Sequence, residues 1–136
     1  MADLLECLIQ IKALTHSIAR LERLVADAPE AIRQGVDAVL DRLLDAESAY
    51  AVAVQMAPPA PAVASSSSRL ERFAGARRAM LATLQQYSAA ELGRCVDWPG
   101  RPGTSVADLV AIMLAHDTEQ IGEIRRCVDD ARRAAD

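Results

Sequence analysis

The sequence predicts an all-α fold, a four-helix bundle formed by a single domain that spans residues 1–136. Apolar residues recur at steps of three and four along four separate stretches, whereas no stretch alternates with the period of two that is typical of strands. The apolar fraction is 51%, but the aromatic residues are only one tryptophan, two tyrosines and one phenylalanine. The core must therefore consist of Leu, Ile, Val, Ala and Met, which together favour helices.

The first helix is predicted over residues 3–26. Asp3 followed by Glu6 is a capping-box type of start signal, with Asp in place of the usual Ser or Thr. The apolar stripe behind it consists of Leu4, Leu8, Ile11, Leu14, Ile18, Leu21 and Val25. His16 lies nearly opposite this stripe, so we expect it to be a solvated histidine.

The second helix is predicted over residues 30–56, with the break from the first helix falling within 26–35. Pro29 suits a first helical turn, and the helix ends before Pro58. Its apolar stripe consists of Val36, Val39, Leu40, Leu43, Leu44, Tyr50 and Val54. Residues 57–68, APPAPAVASSSS, have neither periodicity nor bulk and predict a flexible connection rich in Pro, Ala and Ser.

Capping signals separate the remaining helices. Ser68 with Glu71 predicts the start of a third helix over residues 69–87, and Ser88 with Glu91 predicts one further short turn. The prolines and glycines of residues 97–104 indicate a loop. The last helix is predicted over 105–133, capped by Thr104 or Ser105. Its inward stripe consists of Val106, Leu109, Val110, Met113, Ile121, Ile124 and Val128.

Composition excludes several classes of protein. The formal net charge is −4 with basic and acidic residues interspersed, which argues against a nucleic-acid-binding surface. No apolar run approaches the roughly 18 to 20 residues that span a bilayer, and the acidic N-terminus does not resemble a signal peptide, so we expect no membrane partner and a cytoplasmic protein. Cys7, Cys95 and Cys127 lie far apart and are expected to be buried thiols. Lys12 is the sole lysine among 15 basic residues, a bias that suggests a bacterial source.

Polar residues interrupt two of the apolar stripes. In the last helix, Asp117 falls near the centre of the apolar arc, Gln120 lies inside it and His116 lies at its edge. In the second helix, Glu47 falls at the centre of the arc and Arg42 at its flank. One hypothesis is that five polar residues from the two helices line a single pocket. They are Arg42, Glu47, His116, Asp117 and Gln120. Ion pairs that set the register of the helices are an equal alternative, because buried polar groups need partners.

Two segments carry a resemblance to a known family. LATLQQYSAAELGRCVDWPGRPGTSVADLVAIMLAHDTEQIGEIRR, residues 81–126, resembles the C-terminal half of DinB-like proteins. VDAVLDRLLDAESAY, residues 36–50, is similar to the family's second helix. The resemblance implies a DinB-like four-helix bundle, which in the family commonly holds zinc or nickel through one histidine on the second helix and a His-Xaa-Xaa-Xaa-His pair on the last.

The chain departs from the family at that metal site. The second-helix position is Arg42, the first member of the pair is retained as His116, and the second is Gln120. Arginine keeps its proton and places a positive charge at the site, and a glutamine amide is a weak ligand for zinc or nickel. We therefore expect no metal site and no cofactor, with His116 as the only retained family ligand.

The resemblance leaves two functions open. The first is a noncatalytic module that binds a small polar or anionic ligand or serves for dimerisation. The alternative is a metal- and thiol-dependent S-transferase or isomerase with an atypical site, in which zinc or nickel is retained, Arg42 holds a carboxylate or sulfonate and His116 acts as general base. A homodimer is expected from the family and from three apolar residues off the main stripes, Leu5, Ile9 and Ile112.

Overall fold

The computed structural model describes residues 4–58 and 65–135, and in this part of the chain the regular elements are helices, as the sequence predicts. The helices are α1 (Leu4–Asp27), α2 (Arg33–Ala53), α3 (Ser66–Gln85), α4 (Ala89–Leu92) and α5 (Val106–Ala135). A single 3-10 turn, Glu30–Ile32, precedes α2 and follows Pro29. The all-α prediction is confirmed for these residues.

Two of the predicted helix starts are confirmed by their hydrogen bonds. The Ser88 hydroxyl accepts from the Glu91 backbone N–H at 3.2 Å, and the Glu91 carboxylate accepts from the Ser88 N–H at 3.1 Å. Ser105 and Asp108 make the same reciprocal pair at the start of α5, with both distances at 3.0 Å. Each pair satisfies backbone donors that the first helical turn leaves without an intrahelical partner. The predicted cap Asp3 lies outside the described residues.

The connection between α2 and α3 corrects two predictions. The helix α3 begins at Ser66 rather than 69, because Ser65 caps it by accepting from the Ser68 N–H at 3.1 Å, so Ser68 and Glu71 are not its capping box. Any of four successive serines can cap a helix, and the structure uses the first, which adds a turn. Of the predicted flexible connection, the end from Ser66 onward is therefore helical, and residues 59–64 lie outside the described residues.

The helix α2 ends earlier than predicted, at Ala53. Gln55 adopts a positive φ of 62°, and the Met56 N–H donates to the Ala51 carbonyl at 2.7 Å. The Gln55 N–H donates in turn to the Val52 carbonyl at 3.1 Å. These two bonds form a Schellman closure, which stops the helix although the left-handed position is Gln instead of the usual Gly.

Ion pairs show the direction of each long helix. Arg69 pairs with Asp41 at 2.8 Å, and eight residues further along α3, Arg77 pairs with Glu47, so α2 and α3 run parallel. Arg42 of α2 pairs with Glu123 of α5, whereas Glu47, further along α2, lies at the level of Asp117, which comes earlier in α5. The helices α5 and α2 therefore run antiparallel.

The four long helices pack so that α1 and α2 each contact both α3 and α5. Two apolar clusters fill the interior. The first includes Cys7, Ile11, Leu14, Tyr50, Met80, Leu84, Val106, Leu109 and Met113. The second includes Leu21, Val25, Val36, Leu40, Leu43, Phe73, Ile121, Ile124 and Val128. The core therefore has two apolar ends, and the residues between them lie at mid-height of the helices.

Burial corrects several residue-level predictions. Leu4 and Leu8 are 44% and 47% exposed, because they lie to one side of the arc that Cys7 and Ile11 direct into the core. Of the three thiols expected to be buried, only Cys7 is; Cys95 is exposed, since it lies in the loop before α5. His16 is exposed, as predicted. Among the described residues, no helix is long and apolar enough to cross a membrane.

Candidate functional site

The most unusual feature of the interior is a layer of polar side chains at mid-height. Each of the four long helices contributes one buried member, and these are Ser17, Glu47, Arg77 and Asp117. All four are at most 3% exposed. The layer separates the two apolar clusters, so the polar groups that interrupt the apolar stripes lie at one level of the bundle.

Arg77 is the centre of this layer. Its side chain is fully buried, and its Nε donates to Glu47 Oε1 at 2.9 Å while its Nη2 donates to Asp117 Oδ1 at 2.9 Å. Nη1 and Nη2 make second bonds to Asp117 Oδ2 and to Glu47 Oε1. The guanidinium carbon also lies 4.8 Å from the centroid of the Phe73 ring, a cation–π distance. The guanidinium is thus held by charge-assisted bonds on two sides and a ring on a third.

The layer does not balance in charge. One guanidinium faces two carboxyl groups, so the cluster carries one net negative charge when both carboxyls are ionised. Burial raises the pKa of Glu47, Arg77 opposes this shift, and the neighbouring charge of Asp117 adds to it. Burial also raises the pKa of Tyr50, and the charges of Asp117 and Glu47 add to that shift. Glu47 therefore retains its proton more readily than an exposed glutamate.

Arg77 is the central residue of the layer, and it is not among the residues predicted from the sequence. Its position on α3 follows Phe73 by four residues and precedes Met80 by three, so it falls on the apolar stripe of that helix. The signal was the same one that identified Glu47 and Asp117, an ionisable residue at a core position. A long side chain that carries a charge is commonly assumed to reach solvent, and the structure shows that this one ends inside the core.

The structure divides four of the five predicted site residues between two networks. Glu47 and Asp117 meet through Arg77 in the buried layer. Arg42 instead donates from Nε to Gln120 Oε1 at 3.0 Å and from Nη2 to Glu123 Oε2 at 2.7 Å, near the surface between α2 and α5. Glu123 is not among the residues predicted from the sequence.

His116 belongs to neither network. Its Nδ1 is buried and, within the part of the chain that the structure describes, has no hydrogen-bond partner. A buried ring nitrogen without a partner is unfavourable, because it has lost its hydration without replacement. His116 lies on α5 one turn before Gln120.

The three family positions do not fit a zinc or nickel ion. They supply one imidazole, one amide and one guanidinium, and the guanidinium of Arg42 is already bonded to the amide of Gln120. Across residues 4–58 and 65–135, no group of three His, Cys, Asp or Glu residues comes together as potential metal ligands. Zinc and nickel prefer neutral imidazole or thiolate donors, so this donor set is unsuitable.

A second candidate site lies at the end of the molecule where α1 and α5 begin. It is an open cavity of about 680 Å³, lined by Leu4, Cys7, Ala89, Leu92, Gly93, Cys95, Gly103, Ser105, Ala107 and Asp108. Burial and the charge of Glu6 raise the pKa of the Cys7 thiol. Hydrogen bonds from Ser105 lower the pKa of the Asp108 carboxyl. The cavity therefore offers a protonated thiol in its wall and a carboxylate at its rim.

Comparison with protein-family models, with curated proteins and with solved structures returns no match for this chain. The DinB-like resemblance of residues 81–126 and 36–50 therefore stays a prediction from the sequence.

Proposed function

We propose that the chain is a DinB-like four-helix-bundle protein that has lost the family's metal site and acts as a noncatalytic, small-ligand-binding module in the bacterial cytoplasm. The observation that carries this proposal is the contact between Arg42 and Gln120. The resemblance assigns these two positions to metal ligands, and the side chains present are bonded to one another at 3.0 Å.

The charge of Arg42 supports the same conclusion. Its guanidinium donates to Glu123 at 2.7 Å, so its positive charge is compensated within the protein. Lowering the pKa of a thiol substrate requires a cation with an open position, such as a metal ion, or an uncompensated basic group. The Arg42 network offers neither, which weakens the alternative of a metal- and thiol-dependent S-transferase or isomerase.

A zinc titration tests the proposal. The double substitution Arg42→His plus Gln120→His removes the positive charge and places three imidazoles at positions 42, 116 and 120, two of them one turn apart on α5. We expect the double variant to bind one zinc ion by calorimetry, whereas the parent chain binds none at the same concentration.

The matched control is Gln34→His plus Gln86→His. It also adds two histidines, but at exposed positions near opposite ends of the molecule, the first turn of α2 and the end of α3. This control should behave like the parent chain. Stoichiometric zinc binding by the parent chain would contradict the loss of the metal site. A double variant that folds but binds zinc no better than the control would contradict the alignment to the family.

Self-association is a second candidate role, supported by one surface of α1. Leu5 and Ile9 are 63% and 61% exposed, and a spacing of four residues places them on one face. Leu4 and Leu8 extend the apolar surface beside them. We expect a homodimer by sedimentation at micromolar concentration, and Leu5→Gln plus Ile9→Gln should shift it to the monomer. A parent chain that sediments as a monomer would contradict this role.

A further inference from the structure

The cavity at the end of the molecule has the features of a small-molecule site. Its volume of about 680 Å³ is within the range of roughly 300 to 1,000 Å³ that is common for such sites. The wall is formed by elements that are far apart in sequence, the first turns of α1 and α5, the short helix α4 and the loop before α5. These elements are held together by the antiparallel bridge between Cys95 and Ser105 and by the Val106 N–H, which donates to the Arg94 carbonyl at 2.9 Å.

Small residues keep the cavity open. Ala89, Gly93, Gly103 and Ala107 line it, and none of their side chains extends far enough to fill it. The floor consists of Cys7 and Leu92, which are 1% and 3% exposed and so offer little free surface. Leu4, which also lines the cavity, is 44% exposed, and a ligand that covers it gains by removing apolar surface from water.

The lining chemistry restricts the charge of a ligand. Asp108 is the one charged side chain among the described lining residues, and its carboxylate already accepts from the Ser105 N–H at 3.0 Å. That carboxylate occupies the N-terminal end of α5, where an anionic ligand would otherwise bind most favourably. The Cys7 thiol stays protonated at neutral pH, because burial raises its pKa, so it presents a soft, uncharged surface.

We propose that this cavity is the ligand-binding site and that it takes an uncharged, largely apolar small molecule. The inference deepens the proposed ligand-binding role and rests on it, but it replaces the polar or anionic ligand that the sequence suggests. The Arg42 network, where such an anion was expected, already contains its own carboxylate in Glu123.

The test uses Nile red as an uncharged probe and anilinonaphthalene sulfonate as an anionic one. Nile red should bind the parent chain in a one-to-one complex, and the anionic dye should bind more weakly. Gly93→Leu should abolish Nile red binding. Gly93 has a right-handed φ of −81°, and a Cβ there meets only the Ala89 and Ala90 carbonyls at 3.6 Å, so the larger side chain is accommodated without backbone strain. Gly35→Leu, at an exposed glycine of α2 with open space around it, is the matched control and should bind normally.

The cysteines report where the dye binds. Cys95 is exposed and lines the cavity, whereas Cys127 lies near the other end of α5 and serves as an internal control. Nile red at about ten times its dissociation constant should slow the alkylation of Cys95 roughly tenfold, since only unoccupied molecules react, and leave Cys127 unchanged. If Gly93→Leu does not fold, protection of Cys95 in the parent chain decides the question alone.

An unchanged rate at Cys95 while the dye saturates would overturn the proposal, because the dye then binds elsewhere, such as the Leu5 and Ile9 surface. Preference for the anionic dye would also overturn it. The zinc titration involves neither the cavity nor the dye, so failure of this inference is distinguishable from failure of the proposed loss of the metal site.

Discussion

Two of the arginines that join helices in this protein, Arg77 and Arg42, differ mainly in burial. Arg77 is fully buried and faces the carboxyl groups of Glu47 and Asp117, whereas the side chain of Arg42 is 46% exposed and faces Glu123 and Gln120. The buried cluster has one more carboxyl group than guanidinium groups, whereas in the exposed network the charges of Arg42 and Glu123 balance. Coulombic attraction is stronger inside the protein, but each buried charge has also lost its hydration.

The comparison shows that the same ion pair has different consequences at different depths. In the buried layer, every charge depends on its partners, because water cannot replace them. In the Arg42–Glu123 pair, whose side chains are 46% and 40% exposed, solvent can hydrate either partner when the other is removed, so this pair adds little to stability. We therefore infer that the Arg77 layer fixes how the helices pack, while the Arg42 network is open to change.

The largest expected effect is at Arg77. Arg77→Met leaves the two buried carboxyl groups without a cation, and we expect it to lower the free energy of unfolding by about 3 to 5 kcal/mol. Urea denaturation followed by circular dichroism measures this change. Adding Glu47→Leu and Asp117→Val in the same chain should restore more than half of the loss, because the carboxyl groups are then absent. If the triple variant is no more stable than the single one, the loss comes from packing and not from unpaired charge.

The surplus carboxyl group predicts a dependence on pH. Burial raises the pKa of Glu47 in the folded protein above its ordinary value of 4.5. The resulting stabilisation is fully present below pH 4.5, and it is lost as the pH rises through the pKa that Glu47 has in the folded protein. In that window the free energy of unfolding should fall by about 1.4 kcal/mol per pH unit. Glu47→Gln should remove this slope, whereas Glu123→Gln, the control in the exposed network, should leave it unchanged. If Glu47→Gln shows the same dependence of the free energy of unfolding on pH, a group other than Glu47 binds the proton.

The smallest expected effect is at Arg42. Arg42→Met should lower the free energy of unfolding by about 1 to 2 kcal/mol, because Glu123 is 40% exposed and becomes hydrated, whereas the buried amide of Gln120 loses the donor to its Oε1. The small loss should diminish further in high salt, which screens the exposed pair but not the buried one. If Arg42→Met lowers the free energy of unfolding as much as Arg77→Met does, the two networks do not differ in the way that their burial implies.

The helices themselves could be predicted to within a few residues. Ser88 was identified as a start because a cap and its partner three residues later are a local signal, and of the two caps predicted for α5, Thr104 or Ser105, the structure uses Ser105. The start of α3 was predicted wrongly, since Ser68 with Glu71 matches the capping-box pattern but Ser65 caps the helix. The end of α2 depends on Gln55 adopting a left-handed conformation that favours glycine.

The candidate site was predicted only in part. Glu47 and Asp117 were identified because each interrupts an apolar stripe, but the partner that joins them is Arg77 on α3, and Arg42 on the second helix was chosen instead. The rotation of each helix about its own axis decides that Arg77, and not Arg42, reaches the two carboxyl groups. Helix rotation depends on the packing of the neighbouring helices, which a single helical wheel does not contain.

The sequence by itself determined the all-α class, the four long helices and the polar interruptions of the core, because these follow from periodicity and capping within each segment. The tertiary structure decided which polar groups meet, that Leu4 and Leu8 are exposed, and that a cavity opens beside Cys7 and Asp108. These features depend on contacts between segments that are distant in the chain. The physical reason is that hydrogen bonding within a helix is local, whereas the pairing of buried charges and the space left between helix ends are set only when all the helices pack together.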